Sequence, residues 1–166
     1  MQNLKTQLQK KLEGVDRLGI LGIGSDLRGD DAVGLWVAKA LGRKSKTAGP
    51  VEIRAFLGHT APESLTGEIK KFRPTHLLIV DAISMDRAPG EARLFDAQDI
   101  SEGISFSTHR MPLKILASYL CQSFPCSITV LGIQPQVTDF GKKPSRTVQA
   151  GARTVCRMIR EILRVR

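Results

Sequence analysis

Residues 75–83 read THLLIVDAI. From Leu77 to Val80 the run is wholly apolar, mixes in β-branched residues and shows no polar alternation. Such a run suits a strand covered on both faces, which is the habit of central strands in parallel sheets. Upstream, residues 18–24 form a second short apolar run, and residues 31–41 carry apolar side chains at helical spacing, so the two make a βα unit. Residues 51–57 read as a further strand and 62–72 as a helix. Downstream, 91–95 is a short alternating strand at an edge after the Ala88-Pro89-Gly90 turn, 111–122 is helical, and 127–133 is another buried strand. A helix from Ser145 closes the chain. Strands alternating with helices predict an α/β fold: a three-layer sandwich whose mostly parallel, twisted central sheet of about five strands is flanked by helices.

Leu4, Leu8, Leu12 and Val15 recur at helical spacing, so residues 1–17 read as an N-terminal extension of helical pattern and 18–166 as a single α/β domain. In the last helix Val148, Ala152, Val155, Ile159 and Ile162 share one face, while Arg153, Arg157, Arg160 and Arg164 fall on the opposite, solvated one.

The 166 residues, 42% hydrophobic and 25% charged, are enough for one domain with a proper core and exclude a disordered chain. No apolar run approaches the roughly 20 residues of a membrane span, so no membrane insertion is expected. The net charge of +9 is terminal: residues 1–18 contribute +2, residues 142–166 contribute +7, and the middle is neutral. A neutral middle with a basic last helix describes a catalytic or binding domain rather than one built around a phosphate backbone. With one Trp, one Tyr and six Phe and no aromatic strand of the RNA-binding kind, no nucleic-acid partner is expected. Cys121, Cys126 and Cys156 form no Cys-x-x-Cys pair and read as reduced thiols. Residues 1–17 hold no signal-peptide core, and Glu13 and Asp16 argue against a transit peptide, which makes a cytoplasmic address the expectation.

In open α/β sheets ligands bind beyond the carboxyl ends of the strands. Three residues fall there: Asp31 in the Gly29-Asp30-Asp31 loop after the first strand, Asp81 at the end of the central strand, and His109 in Ser107-Thr108-His109-Arg110 just before the fourth helix. Asp31 has an alternative role as a helix cap and Asp81 as a turn acceptor. Two carboxylates and an imidazole without a thiolate suit a borderline divalent ion such as nickel, zinc, manganese or iron, with coordination positions left open. His76 begins the central strand at the opposite end from Asp81 and reads as structural; His59 follows the second strand on the correct rim. There is no G-x-S-x-G elbow, no H-E-x-x-H helix and no P-loop. A receiver-like signalling domain shares an acidic pocket of this kind, but Gly132-Ile133-Gln134-Pro135 offers none of the lysine it needs after its last strand.

Taken in order, LGIGSDLRGDDAVG (21–34), GHTAPES (58–64), RPTHLLIVDAI (73–83), PGEARLFD (89–96), STHRMPL (107–113) and LGIQP (131–135) resemble the hydrogenase maturation endopeptidases, and most of all the branch serving the formate-hydrogenlyase type of enzyme. The resemblance implies an aspartic-type protease that removes a C-terminal extension from the large-subunit precursor of a nickel–iron hydrogenase. It implies that Asp31, Asp81 and His109 are both the catalytic and the metal-contacting residues. The nickel would be carried by the client, so that completed metal insertion is tested before cleavage, and water would be activated by the metal or by one carboxylate acting as general base. Two departures stand out: Gly24-Ser25 replaces the family's Gly-Asn, and Leu57-Gly58-His59-Thr60 replaces Asp-Gly-Gly-Ser/Thr.

Overall fold

The computed structural model describes residues 2–42, 51–96 and 113–164. His109 and Met111, the first residue of the expected fourth helix, lie outside the described residues. The elements run α1 (Gln2–Lys11), β1 (Arg17–Ile23), α2 (Val33–Gly42), β2 (Glu52–His59), α3 (Thr66–Phe72), β3 (His76–Ala82), β4 (Ala92–Asp96), α4 (Leu113–Ser123), β5 (Ser127–Ile133) and α5 (Arg146–Arg164). The five strands form one sheet in the order β2-β1-β3-β5-β4. The pairs β1–β2, β1–β3 and β3–β5 are parallel, and β4 alone runs antiparallel, against β5 at the edge. Every residue of β3 is buried, because helices cover both faces of the middle of the sheet.

Strand alternation sorts the apolar residues into two cores. Leu18 and Ile20 of β1 with Leu78 and Val80 of β3 meet α1, α2 and α5 on one face. Leu21 and Ile23 with Leu77 and Ile79 meet α3 and α4 on the other. The N-terminal helix is part of the first core: Leu8 and Leu12 are fully buried there, and Lys5 pairs with Glu161 of α5 at 2.7 Å while Lys11 pairs with Asp96 of β4. None of the described helices is long and apolar enough to cross a membrane.

Two helices begin differently from their sequence pattern. The segment expected to be helical from Asp31 opens as a 3-10 turn over Gly29–Ala32 before α2, and the segment from Pro62 opens as a 3-10 turn over Pro62–Leu65 before α3. α2 then settles onto the sheet through glycine: a Cβ on Gly34 would overlap the carbonyl oxygens of Val80 and Ile23, so only glycine brings the helix start this close to the ends of β1 and β3.

The arginine face of α5 is not uniformly solvated. Arg153, Arg157 and Arg164 are exposed, but Arg160 is half-buried and its guanidinium donates to the Ala40 carbonyl at 2.7 Å. α5 packs beside α2, and the last-turn carbonyls of α2 have no intrahelical donors, so a cation from the neighbouring helix satisfies one of them.

Candidate functional site

The connection after β1 leads through α2 to β2 on one side, whereas the chain after β3 runs the other way, past β5 to β4. The carboxyl ends of β1 and β3 therefore form the topological switch point, the place at which α/β sheets bind ligands. The loop after β1 delivers Asp31 to this edge and β3 ends there on Asp81. The 3-10 turn holding Asp31 packs against β3. The structure thus sets two of the three sequence-derived site residues at adjacent strand ends; the third, His109, lies outside the described residues, four positions before Leu113 at the start of α4. Among the described residues no group of three His, Cys, Asp or Glu side chains gathers as a metal site.

Asp31 is 1% exposed and its Oδ2 accepts the Ser25 N–H at 2.8 Å, so the carboxylate folds back over its own loop rather than capping α2. The fold-back needs Gly24: its φ is +131°, and a Cβ there would collide with the Asp31 carbonyl. The Gly24 N–H in turn donates to the His59 carbonyl at 3.0 Å, which ties the loop after β1 to the end of β2.

The neighbouring acid has another task. Asp30 is fully buried; its Oδ2 accepts the backbone N–H groups of Gln136 and Val137 and the Ser145 hydroxyl, each at 2.9 Å, and its Oδ1 accepts the Ser145 N–H. Ser145 is also the N-cap of α5, its Oγ accepting the Val148 N–H at 3.3 Å. One carboxylate with four donors binds the first loop to the loop after β5 and to the start of the last helix, and charge-assisted bonds of this kind are about twice as strong as neutral ones. Sequence spacing could not separate Asp30 from Asp31; the separation comes from the 3-10 turn, which sends adjacent side chains in different directions.

Asp81 is fully buried, and its Oδ1 accepts the N–H of Ala82 at 2.8 Å. It lies opposite Gly132 of β5. Just beyond, Gln134 organises the loop after β3: its side-chain Oε1 accepts the Met85 N–H at 2.7 Å and the Arg87 N–H at 3.3 Å. Sequence reasoning found no role for Gln134, although the apolar run of β5 ending on a single amide just at the strand's carboxyl end was a readable signal.

His59 stands on the rim at the end of β2 with its ring half exposed and its Nδ1 4.0 Å from Asp26 Oδ2, a carboxylate that Lys39 also approaches at 3.9 Å. Its backbone φ is +47°, a left-handed conformation that favours glycine. His76 lies at the far end of β3, 2% exposed, and desolvation, aided by the nearby Lys11 charge, lowers its pKa to about 4, so its ring is neutral at pH 7. The three cysteines are free thiols, Cys126 being pushed up to about 12 by burial and by the neighbouring Cys121.

A family model described as hydrogenase maturation protease matches residues 37–164. The hydrogenase 3 maturation protease of Escherichia coli K12 is 35% identical over 136 residues, covering 82% of this chain and 84% of that protein. Among solved structures, a NiFe hydrogenase maturation protease, HycI, from Thermococcus kodakarensis superposes with a TM-score of 0.84 at 35% identity, covering 95% of this chain and 98% of that one. The solution structure of the endopeptidase HycI from Escherichia coli gives a TM-score of 0.71 at 32% identity, covering 87% and 89% of the two chains. With a whole-length fold match, a family match over most of the chain and the acids of the loop motif set at the switch point, the chain belongs to the hydrogenase maturation proteases, a family of endopeptidases.

Proposed function

We propose that this endopeptidase removes the C-terminal extension of a nickel–iron hydrogenase large-subunit precursor once nickel has been inserted, and that the client's own nickel is the recognition element. The reading rests on one observation above others: two carboxylates, Asp31 at 1% exposure and Asp81 fully buried, occupy neighbouring strand ends at the switch point. Two carboxylates suit a borderline divalent ion, and the family resemblance adds the imidazole of His109 to that donor set.

The nickel enters with the substrate and supplies a Lewis-acidic anchor that the chain's own residues grip. Asp31, Asp81 and His109 contact it and so place the scissile bond, converting a loosely bound peptide into an oriented one. The Ser25 N–H keeps the Asp31 carboxylate turned toward its loop, and the Ala82 N–H holds Asp81 Oδ1. In an aspartic-type mechanism one of these carboxylates takes the proton of the attacking water as general base. With only three ligands of its own, two of them carboxylates, the free protein holds nickel weakly, and specificity resides in the client.

The test is mass analysis of a large-subunit precursor after incubation with the protein. Nickel-containing precursor is expected to lose its C-terminal segment, nickel-free precursor to stay intact, and prior chelator treatment of the free protein to change nothing. Efficient cleavage of nickel-free precursor or of casein would overturn the reading.

A further inference from the structure

We propose that Leu27 and Phe140 form a docking wall for the precursor, fitted to an apolar, acid-flanked surface of the client next to its cleavage segment; this rests on the function proposed above. Leu27 is 62% exposed and Phe140 is 73% exposed. Both sit on loops at the carboxyl edge of the sheet, one after β1 and one after β5. The other large apolar side chains exposed among the described residues, Ile115 and Tyr119, lie away on α4, where Lys70 covers the Tyr119 ring at 4.5 Å and donates to its hydroxyl at 2.8 Å.

The two loops are laced into one platform. The Gly141 N–H donates to the Leu27 carbonyl at 2.8 Å, the Gly29 N–H to the Lys142 carbonyl at 3.1 Å, and the Asp30 N–H to the Val137 carbonyl at 2.7 Å. The Asp30 carboxylate closes the lacing from beneath. Leu27 and the residue after Phe140 therefore share a hydrogen bond, and the backbone carrying both apolar groups is held before any partner arrives. A pre-ordered surface spares the ordering cost that a flexible loop incurs on binding.

Leu27 lies four residues before Asp31 on one continuous, braced loop, so a polypeptide whose scissile segment reaches Asp31 passes beside it. The charge around the wall selects the partner. Lys142 and Lys143 are exposed on the second loop, Arg146 is exposed at the start of α5, and Arg28 is half-buried on the first loop. With Asp30 and Asp31 buried, the acids exposed beside the wall are Asp26, which Lys39 approaches at 3.9 Å, and Asp139. An apolar centre within a basic rim is complementary to an apolar client surface edged with carboxylates, the core-and-rim anatomy of protein interfaces.

The experiment compares the full-length protein, the double variant Leu27→Ser with Phe140→Ser, the double variant Lys142→Ser with Lys143→Ser, and the control Ile115→Ser, each acting on nickel-loaded precursor. The apolar double variant is expected to raise KM roughly ten-fold or more, with a much smaller change in kcat and an unchanged melting temperature, as for truncation of an interface hot spot. The lysine variant is expected to flatten the salt dependence of kcat/KM, and Ile115→Ser to leave KM alone. An unchanged KM in the apolar double variant overturns the proposal, as does a loss confined to kcat. Sedimentation that shows the same variant losing only self-association, with KM intact, overturns it too and assigns the wall to a second copy of this chain. If the unaltered protein fails to cut nickel-loaded precursor, the proposed function falls; if it cuts and the apolar variant matches its KM, only the docking wall falls.

Discussion

β3 buries a titratable side chain at each end, His76 as its first residue and Asp81 as its sixth, and the two are treated in opposite ways. Around His76 the protein buries the ring and supplies a nearby cation, Lys11, so the ring stays neutral. Around Asp81 it gathers loops from β1, β3 and β5, with a backbone donor at the carboxylate itself and glycines that let α2 approach. The difference follows from strand direction. In a parallel sheet all carboxyl ends share one edge, so the loops that can vary converge at Asp81, while at the opposite edge His76 lines a cavity of about 920 Å³ between α1, α4 and the start of β5.

The largest effect is expected where the charge itself is at issue. Asp81→Asn keeps the volume and one acceptor oxygen; precursor processing should fall roughly a hundred-fold or more, the scale of a lost acid–base group, while the unfolding midpoint stays near that of the parent. Normal processing by this variant would make the two ends of β3 equivalent and end the distinction. Asp30→Ala tests the neighbouring acid. Stripping one carboxylate of four donors leaves buried N–H groups without partners and should cost about 2–4 kcal/mol in denaturant unfolding, with activity lost in step with the folded fraction. A folded, fully stable Asp30→Ala protein without activity would instead move Asp30 into the chemistry.

His76 sharpens the contrast through pH. Its folded pKa of about 4 lies below the ordinary value of 6.5, so between these values the unfolded chain binds a proton that the folded one refuses, and stability falls as pH drops through that window. The full contribution is on the order of 3 kcal/mol. His76→Leu should flatten the stability profile between pH 6.5 and 4 in urea titrations while leaving processing at pH 7 intact; an undiminished acid slope would mean that other groups carry it. The smallest effect is expected at His59. Its φ of +47° is strained for a residue with a Cβ, and His59→Gly should raise thermal stability, by up to about 1 kcal/mol. A loss of stability there would show that the imidazole's contact with Asp26 outweighs the backbone strain.

The alternation of strands and helices, the burial of β3 on both faces and the amphipathic stripe of α5 were all legible in the sequence, because each is written in side-chain periods of two or 3.6 residues within a single segment. So was the placement of Asp31 and Asp81 at one edge of the sheet, since strand direction alone puts them there. What periodicity could not carry are relations across the chain. That Arg160 leaves the solvated face for the Ala40 carbonyl depends on α2 lying beside α5.

Asp30 and Asp31 make the same point most sharply. As neighbours in one motif they share every local property a sequence can express, and only the tertiary structure gives one of them to Gln136, Val137 and Ser145, more than a hundred residues away, and turns the other back to Ser25. The physical reason is that a buried carboxylate takes its role from the donors that reach it, and which donors arrive is decided by how the strands are ordered in the sheet rather than by which residues stand next to it in the chain.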